Sequence, residues 1–211
     1  MISTQRLDGM PDRDTLRRLT RSLATLDALL SPEWDGRYYS YNCNWAAGEE
    51  MASMRDGEGD QWFAWFGAAG VALAGLSHEK AMFRPGKPWP GIWDTLPAAF
   101  APFRAEAAFD TDNTTFCIWR GAADQVWRCG NIEYSEGDDP DGSAELLALL
   151  DGVPESYRAW AAGYYERDVP LDVVAAIYAH EDITPAMLEQ LGCDESAALS
   201  ADLDEIGYPL R

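Results

Sequence analysis

Leu16, Leu19, Leu23, Leu26 and Leu30 recur at steps of three and four residues. That spacing lines one face of a helix and predicts an amphipathic helix over residues 12–30. Asp12 or Asp14 is suited to cap its start, and Pro32 follows its end. Arg13, Arg17, Arg18 and Arg21 make its other side basic. Two readings of that side stand open: a solvated face, or a face docked on acids of this chain's C-terminal half or of a partner.

From Arg37 to Trp45 the period changes to two. Tyr39, Tyr41, Cys43 and Trp45 are expected on one face of a strand, with Tyr38, Ser40, Asn42 and Asn44 on the other. Residues 46–60 read as turn-rich. Gln61–Phe66 and Val71–Ser77 then form apolar runs joined by Gly67-Ala68-Ala69-Gly70, a hairpin pattern. Gly75 inside the second run signals a bulge or a close backbone approach. Thr114–Arg120 and Gln125–Cys129 form a second hairpin pattern, and Cys117 and Cys129 are placed where either a disulfide or two packed thiols would fit. The five prolines of Phe83–Pro102 mark a loop with short helical turns. After the acidic stretch Ser135–Gly142, helical spacing predicts Ser143–Leu150, Pro154–Arg167, Asp172–Ala179, Thr184–Leu191 and Ser200–Ile206. Strands first and helices afterwards argue for an α+β fold. It would be one domain over residues 1–211, with a helix at 12–30, an antiparallel sheet within 36–134, and a helical C-terminal third (143–206) packed on the sheet.

Composition sharpens this picture. The 211 residues are 47% hydrophobic and include 9 Trp, 9 Tyr and 7 Phe. So many aromatics exclude a disordered acidic tail. The net charge is −20, and it is lopsided. Residues 1–129 hold 17 acids and 13 bases, whereas residues 130–211 hold 19 acids and 3 bases. Such a field repels nucleic acid and anionic membrane and attracts basic proteins. No apolar leader or membrane-length apolar run is visible, which predicts a cytoplasmic protein.

Candidate chemistry is sparse. The four cysteines have no metal-ligand spacing, and His78 and His180 are isolated in sequence, so neither a metal site nor a cofactor is expected. His78 and Glu79 end an apolar strand and lead into the proline-rich loop, so any small-molecule cleft is expected there, with Trp62 and Trp119 as aromatic lining. Ser77 and His78, if still in the strand, would point to opposite faces. Glu133, Glu136, Asp138, Asp139 and Asp141 form the densest acidic group and are the expected contact with a basic partner. Their order does not match a calcium-binding loop.

The stretches Trp34–Asn42, Gly48–Asp60 and Thr114–Arg120 resemble a family of uncharacterised bacterial cytoplasmic proteins. The resemblance implies a single-domain protein and no particular activity. Three functional classes fit the sequence. The first is a non-enzymatic acidic binding protein, in its sharpest form an immunity-type inhibitor of a basic toxin, an analogy of size and charge only. The others are an enzyme or small-ligand protein with a cleft near His78 and Glu79, and a structural or oligomerisation module.

Overall fold

The computed structural model describes residues 1–208. Helix α1 (Arg13–Leu30) starts where Asp12 accepts hydrogen bonds from the backbone N–H groups of Asp14 and Thr15. Six strands follow: β1 (Tyr39–Ala46), β2 (Glu49–Arg55), β3 (Gln61–Gly67), β4 (Gly70–Leu76), β5 (Phe116–Gly121) and β6 (Arg128–Cys129). Each pairs antiparallel with the next, so sheet order is chain order. The helices α3 (Ser143–Leu146), α4 (Pro154–Tyr164), α5 (Leu171–Tyr178), α6 (Pro185–Leu191) and α7 (Ala197–Ile206) come after the sheet. The fold is α+β.

The sheet is buried on both faces, and this explains its composition. One face presents Tyr39, Tyr41, Met54, Trp62 and Leu73 to helix α1 and the C-terminal helices. The other presents Phe63, Trp65, Cys117 and Trp119 to Ile92, Phe100, Phe103 and Phe109 of the proline-rich segment. That segment, which includes helix α2 (Ala101–Ala105), is therefore the cover of the second face. Gly75 is needed because the Phe116 ring lies against it: a Cβ there would come within 2.2 Å of that ring.

Three sequence expectations are corrected. Residues 49–55 form a strand rather than turns, because Ala52 and Met54 face one layer and Met51 the other. Trp45 does not share a face with Cys43. The β1–β2 register shifts between Asn42 and Ala46, and Trp45 stacks on Phe109 in the second layer. Cys129 pairs across the sheet with Ile118, not Cys117, and both cysteines are free thiols.

One carboxylate joins the layers. Asp27, on the buried side of α1, is completely inaccessible. Its Oδ2 accepts from the backbone N–H groups of Tyr38 (2.9 Å) and Tyr39 (2.7 Å), and its Oδ1 from the Tyr157 hydroxyl (2.6 Å). Tyr165 turns its hydroxyl toward the same carboxylate without completing a hydrogen bond. Burial pushes the Asp27 pKa up to about 6, against the donors, which pull it down. A carboxyl whose pKa is higher folded than unfolded adds stability below its unfolded pKa of 3.8, and that stability is lost as pH rises through about 6. Relative to Asp27→Asn, which cannot titrate, the wild type is expected to lose about 2 kcal/mol between pH 4 and pH 7. Urea unfolding at a series of pH values measures this, and a pH-independent difference would refute the assignment. Asp27→Ala strands three buried donors and should cost roughly 3 kcal/mol or more.

Candidate functional site

The strongest titratable cluster lies just past β4. Asp60, the first residue before β3, accepts from the Ser77 hydroxyl (2.6 Å) and from the His78 backbone N–H (2.8 Å). Its Oδ1 is also 2.7 Å from His78 Nδ1. Ser77 and His78 thus converge on one carboxylate instead of pointing apart, because β4 ends at Leu76 and the chain turns. Asp56 fixes the loop that delivers Asp60 by accepting from the N–H groups of Glu58, Gly59 and Asp60. The Asp60 partnership holds the His78 imidazole pKa above its usual value, and Asp60 is lowered in turn. The sequence signal for this site was Ser77-His78; its carboxylate, Asp60, was missed because it lies 18 residues away across the β3–β4 hairpin.

The connectivity is wrong for nucleophilic catalysis. A serine nucleophile needs a base on its hydroxyl and an orienting group behind that base. Here the carboxylate stands between serine and imidazole, and Ser77 is buried. The pair instead acts as a clasp between the 56–60 loop and the end of β4.

The other expected site residues are not brought together. Trp62 is sealed in the first layer and donates to the Leu146 carbonyl, whereas Trp119 is buried in the second. Glu79 is exposed, and neither it nor His78 lines any cleft described below. His180 is half-buried, with Nε2 2.9 Å from the Arg18 carbonyl, and burial lowers its pKa. In the acidic group, Glu133, Glu136 and Asp138 are exposed. Asp139 caps helix α3 through the N–H groups of Ala144 and Glu145. Asp141 is not a surface residue: it is buried, bonded to Thr4 and Ser143, and so ties the N-terminal segment to the start of α3. Among the described residues no group of three or more His, Cys, Asp or Glu side chains is arranged to hold a metal ion. No described helix is long and apolar enough to cross a membrane.

The basic side of α1 turns out to be used internally. Arg17 and Arg21 both bond Glu50 of β2, which also accepts from the Tyr41 hydroxyl, and Arg13 donates to the Gly67 carbonyl. The docking acid is thus on the sheet, not in the C-terminal half.

Several clefts remain open: one of about 740 Å³ is walled by Trp119, Trp127 and Arg128, and one of about 340 Å³ reaches from Arg37 and Asp202 to Arg167 and Asp194. At the outer edge of β1 and β2, adjoining clefts of about 200 and 140 Å³ share Trp34, Arg37, Ser40 and Arg55. At the α6–α7 junction an open cleft of about 410 Å³ is lined by Glu189, Asp194 and Glu195, with no basic residue in its wall. No protein-family model, curated protein or solved structure matches the chain.

The clasp has a direct readout. Replacing Asp60 with Asn removes the charge that holds the His78 proton, so the titration midpoint of His78 should fall toward the ordinary histidine value of 6.5. Stability contributed by the pair is present where Asp60 is ionised and His78 protonated; it fades as pH falls through the lowered Asp60 pKa and as pH rises through the raised His78 pKa. NMR titration of the imidazole tests the first statement. An unmoved midpoint would show that the contact is not formed in solution.

Proposed function

We propose that this protein works by binding rather than catalysis, and that its acidic helical part engages a basic protein. The observation that carries this reading is the open cleft at the α6–α7 junction, with three exposed carboxylates and no ion pair among them; the one base beside it, Arg167, is engaged by the Leu191 carbonyl. Its dimensions suit a lysine or arginine side chain entering from a partner. The surroundings favour the same sign. Over residues 154–206 twelve acids face two arginines. Arg158 is paired with Asp168, and Arg167 donates to the Leu191 carbonyl. Exposed Glu133, Glu136 and Asp138 add to the field from the loop before α3. Uncompensated charge of one sign steers an oppositely charged partner and raises its association rate. An inhibitor that caps a basic toxin is the sharpest form of this reading, and the expected compartment is the cytoplasm.

The test is affinity capture from native lysate at about 50 and 300 mM salt, the higher ionic strength shortening the screening length to below about 10 Å. The bait is either the wild type or a variant with Glu189→Gln, Asp194→Asn and Glu195→Gln. A basic protein should be enriched by the wild type, reduced at least about tenfold by the higher salt, and lost with the variant. Capture that is indifferent to both salt and variant would overturn the reading, as would a set of captured proteins that is not basic.

A further inference from the structure

The clefts at the β1–β2 edge hold a cation that the protein leaves without an anion. Arg55, the last residue of β2, is partly buried. Its guanidinium lies 5.3 Å from the centre of the Trp34 ring and 5.2 Å from that of Phe63. Two aromatic rings thus flank it, and no hydrogen bond engages its N–H donors. Every other partly buried arginine among the described residues has an acceptor in the fold. Arg13 reaches the Gly67 carbonyl, Arg17 and Arg21 reach Glu50, and Arg37 reaches Asp202 at 2.6 Å. Arg120 reaches the Asp124 carbonyl, and Arg167 that of Leu191. Among the partly buried arginines of the described residues, Arg55 alone has neither an acid nor a carbonyl on its guanidinium, in a chain with 36 acids against 16 bases. Burial without a counter-ion lowers its pKa. Desolvating a cation without pairing it is costly, and an incoming anion would remove that cost.

The walls supply the other half of the argument. Trp34 sits on a 3-10 turn (Trp34–Gly36) and is 55% exposed, although an indole is among the best side chains to bury. Tyr164, also exposed, lines the smaller cleft with Trp34, and Tyr38 stands between them, 5.3 Å from the Tyr164 ring. Ser40 and Ser53 face the same space as a hydroxyl pair 2.6 Å apart. Of the acids nearby, Asp202 is committed to Arg37 and Glu205 accepts from Asn42. Asp35 lines the smaller cleft and opposes an anion there.

We infer that this double cleft binds a small molecule that joins one oxyanion to a flat unsaturated ring. Arg55 takes the carboxylate or phosphate through its free N–H groups, and the ring lies on the exposed indole of Trp34 beside Tyr164. Flat rings stack on indole, and a guanidinium fork matches both oxyanions, so the site selects for the combination rather than for either part.

Titration of the full-length protein, followed through the Trp34 indole N–H signal by NMR, tests this. The probes are benzoate, phenyl phosphate, acetate, inorganic phosphate and benzyl alcohol. Benzoate or phenyl phosphate should bind at least about tenfold more tightly than the probes lacking ring or charge, and the better of the two identifies the oxyanion. Arg55→Met should weaken that binding at least about tenfold, Arg55→Lys less so, and Trp34→Ala several-fold, while Asp35→Asn should strengthen it. If Arg55→Met fails to fold, as judged by its thermal melt, the exposed Trp34→Ala and Asp35→Asn variants decide. Binding of inorganic phosphate or acetate as tight as that of the ring-bearing anions would overturn the inference. So would no saturable shift with any probe, or binding indifferent to Trp34 and Asp35. The site shares no lining residue with the α6–α7 cleft, and its variants leave Glu189, Asp194 and Glu195 in place, so the outcome here is distinguishable from that of the capture experiment.

Discussion

Asp27 is placed where helix α1, the entry to strand β1 and helix α4 meet, and the arrangement of the layers depends on it. A carboxylate with no access to water must be surrounded by donors, and here the donors come from elements far apart in the chain. The two backbone N–H groups belong to the start of edge strand β1. They have no partner strand on that side, so the carboxylate ends the sheet in a defined position against α1. The third donor, the Tyr157 hydroxyl, brings α4 to the same point. Tyr38, Tyr39, Trp160 and Tyr164 then pack around it ring against ring, with Tyr38 and Trp160 4.7 Å apart. The cost of burying the charge is the constraint, and the observed positions of α4 and β1 satisfy it.

The same logic governs three further acids. Glu50 gathers Arg17, Arg21 and Tyr41; Asp60 gathers Ser77 and His78; Asp141 gathers Thr4 and Ser143. In each case one acid serves several donors, at least one of them remote in sequence, and fastens two segments of the chain together. An acid engaged in this way is unavailable as a general base, and a serine that donates to a carboxylate while buried is unavailable as a nucleophile. What stays chemically open lies at the periphery: carboxylates without bases at the α6–α7 junction, and one arginine without an acid at the β1–β2 edge. The two clefts share no lining residue.

The amphipathic period of α1, the hairpin signals at Gly67–Gly70 and Gly121–Asp124, and the change to helical spacing after residue 143 were legible because they are local patterns. The α+β class followed from their order. Strand β2 was not legible, because Gly48 before it and its two glutamates resemble a turn until Glu50 is seen to answer the arginines of α1. Trp62 and Trp119 suggested an aromatic pocket, yet a sheet covered on both faces needs large side chains on both. The covering segment, residues 83–113, has too many prolines and glycines to show a period, so nothing in its sequence announced a second core layer.

By itself the sequence determined most of the elements, the order of strands before helices and the lopsided charge, since each depends on spacing or counting along the chain. Tertiary structure decided which charges remain free. Asp141 and Asp138 stand three residues apart in the same acidic stretch, and only folding makes one an interior fastener and leaves the other in solvent. Arg37 and Arg55 both line the edge clefts, and only the approach of α7 gives the first its Asp202 and leaves the second with none. Pairing depends on distance between elements remote in sequence, and it separates the charges that hold this protein together from those it presents to others.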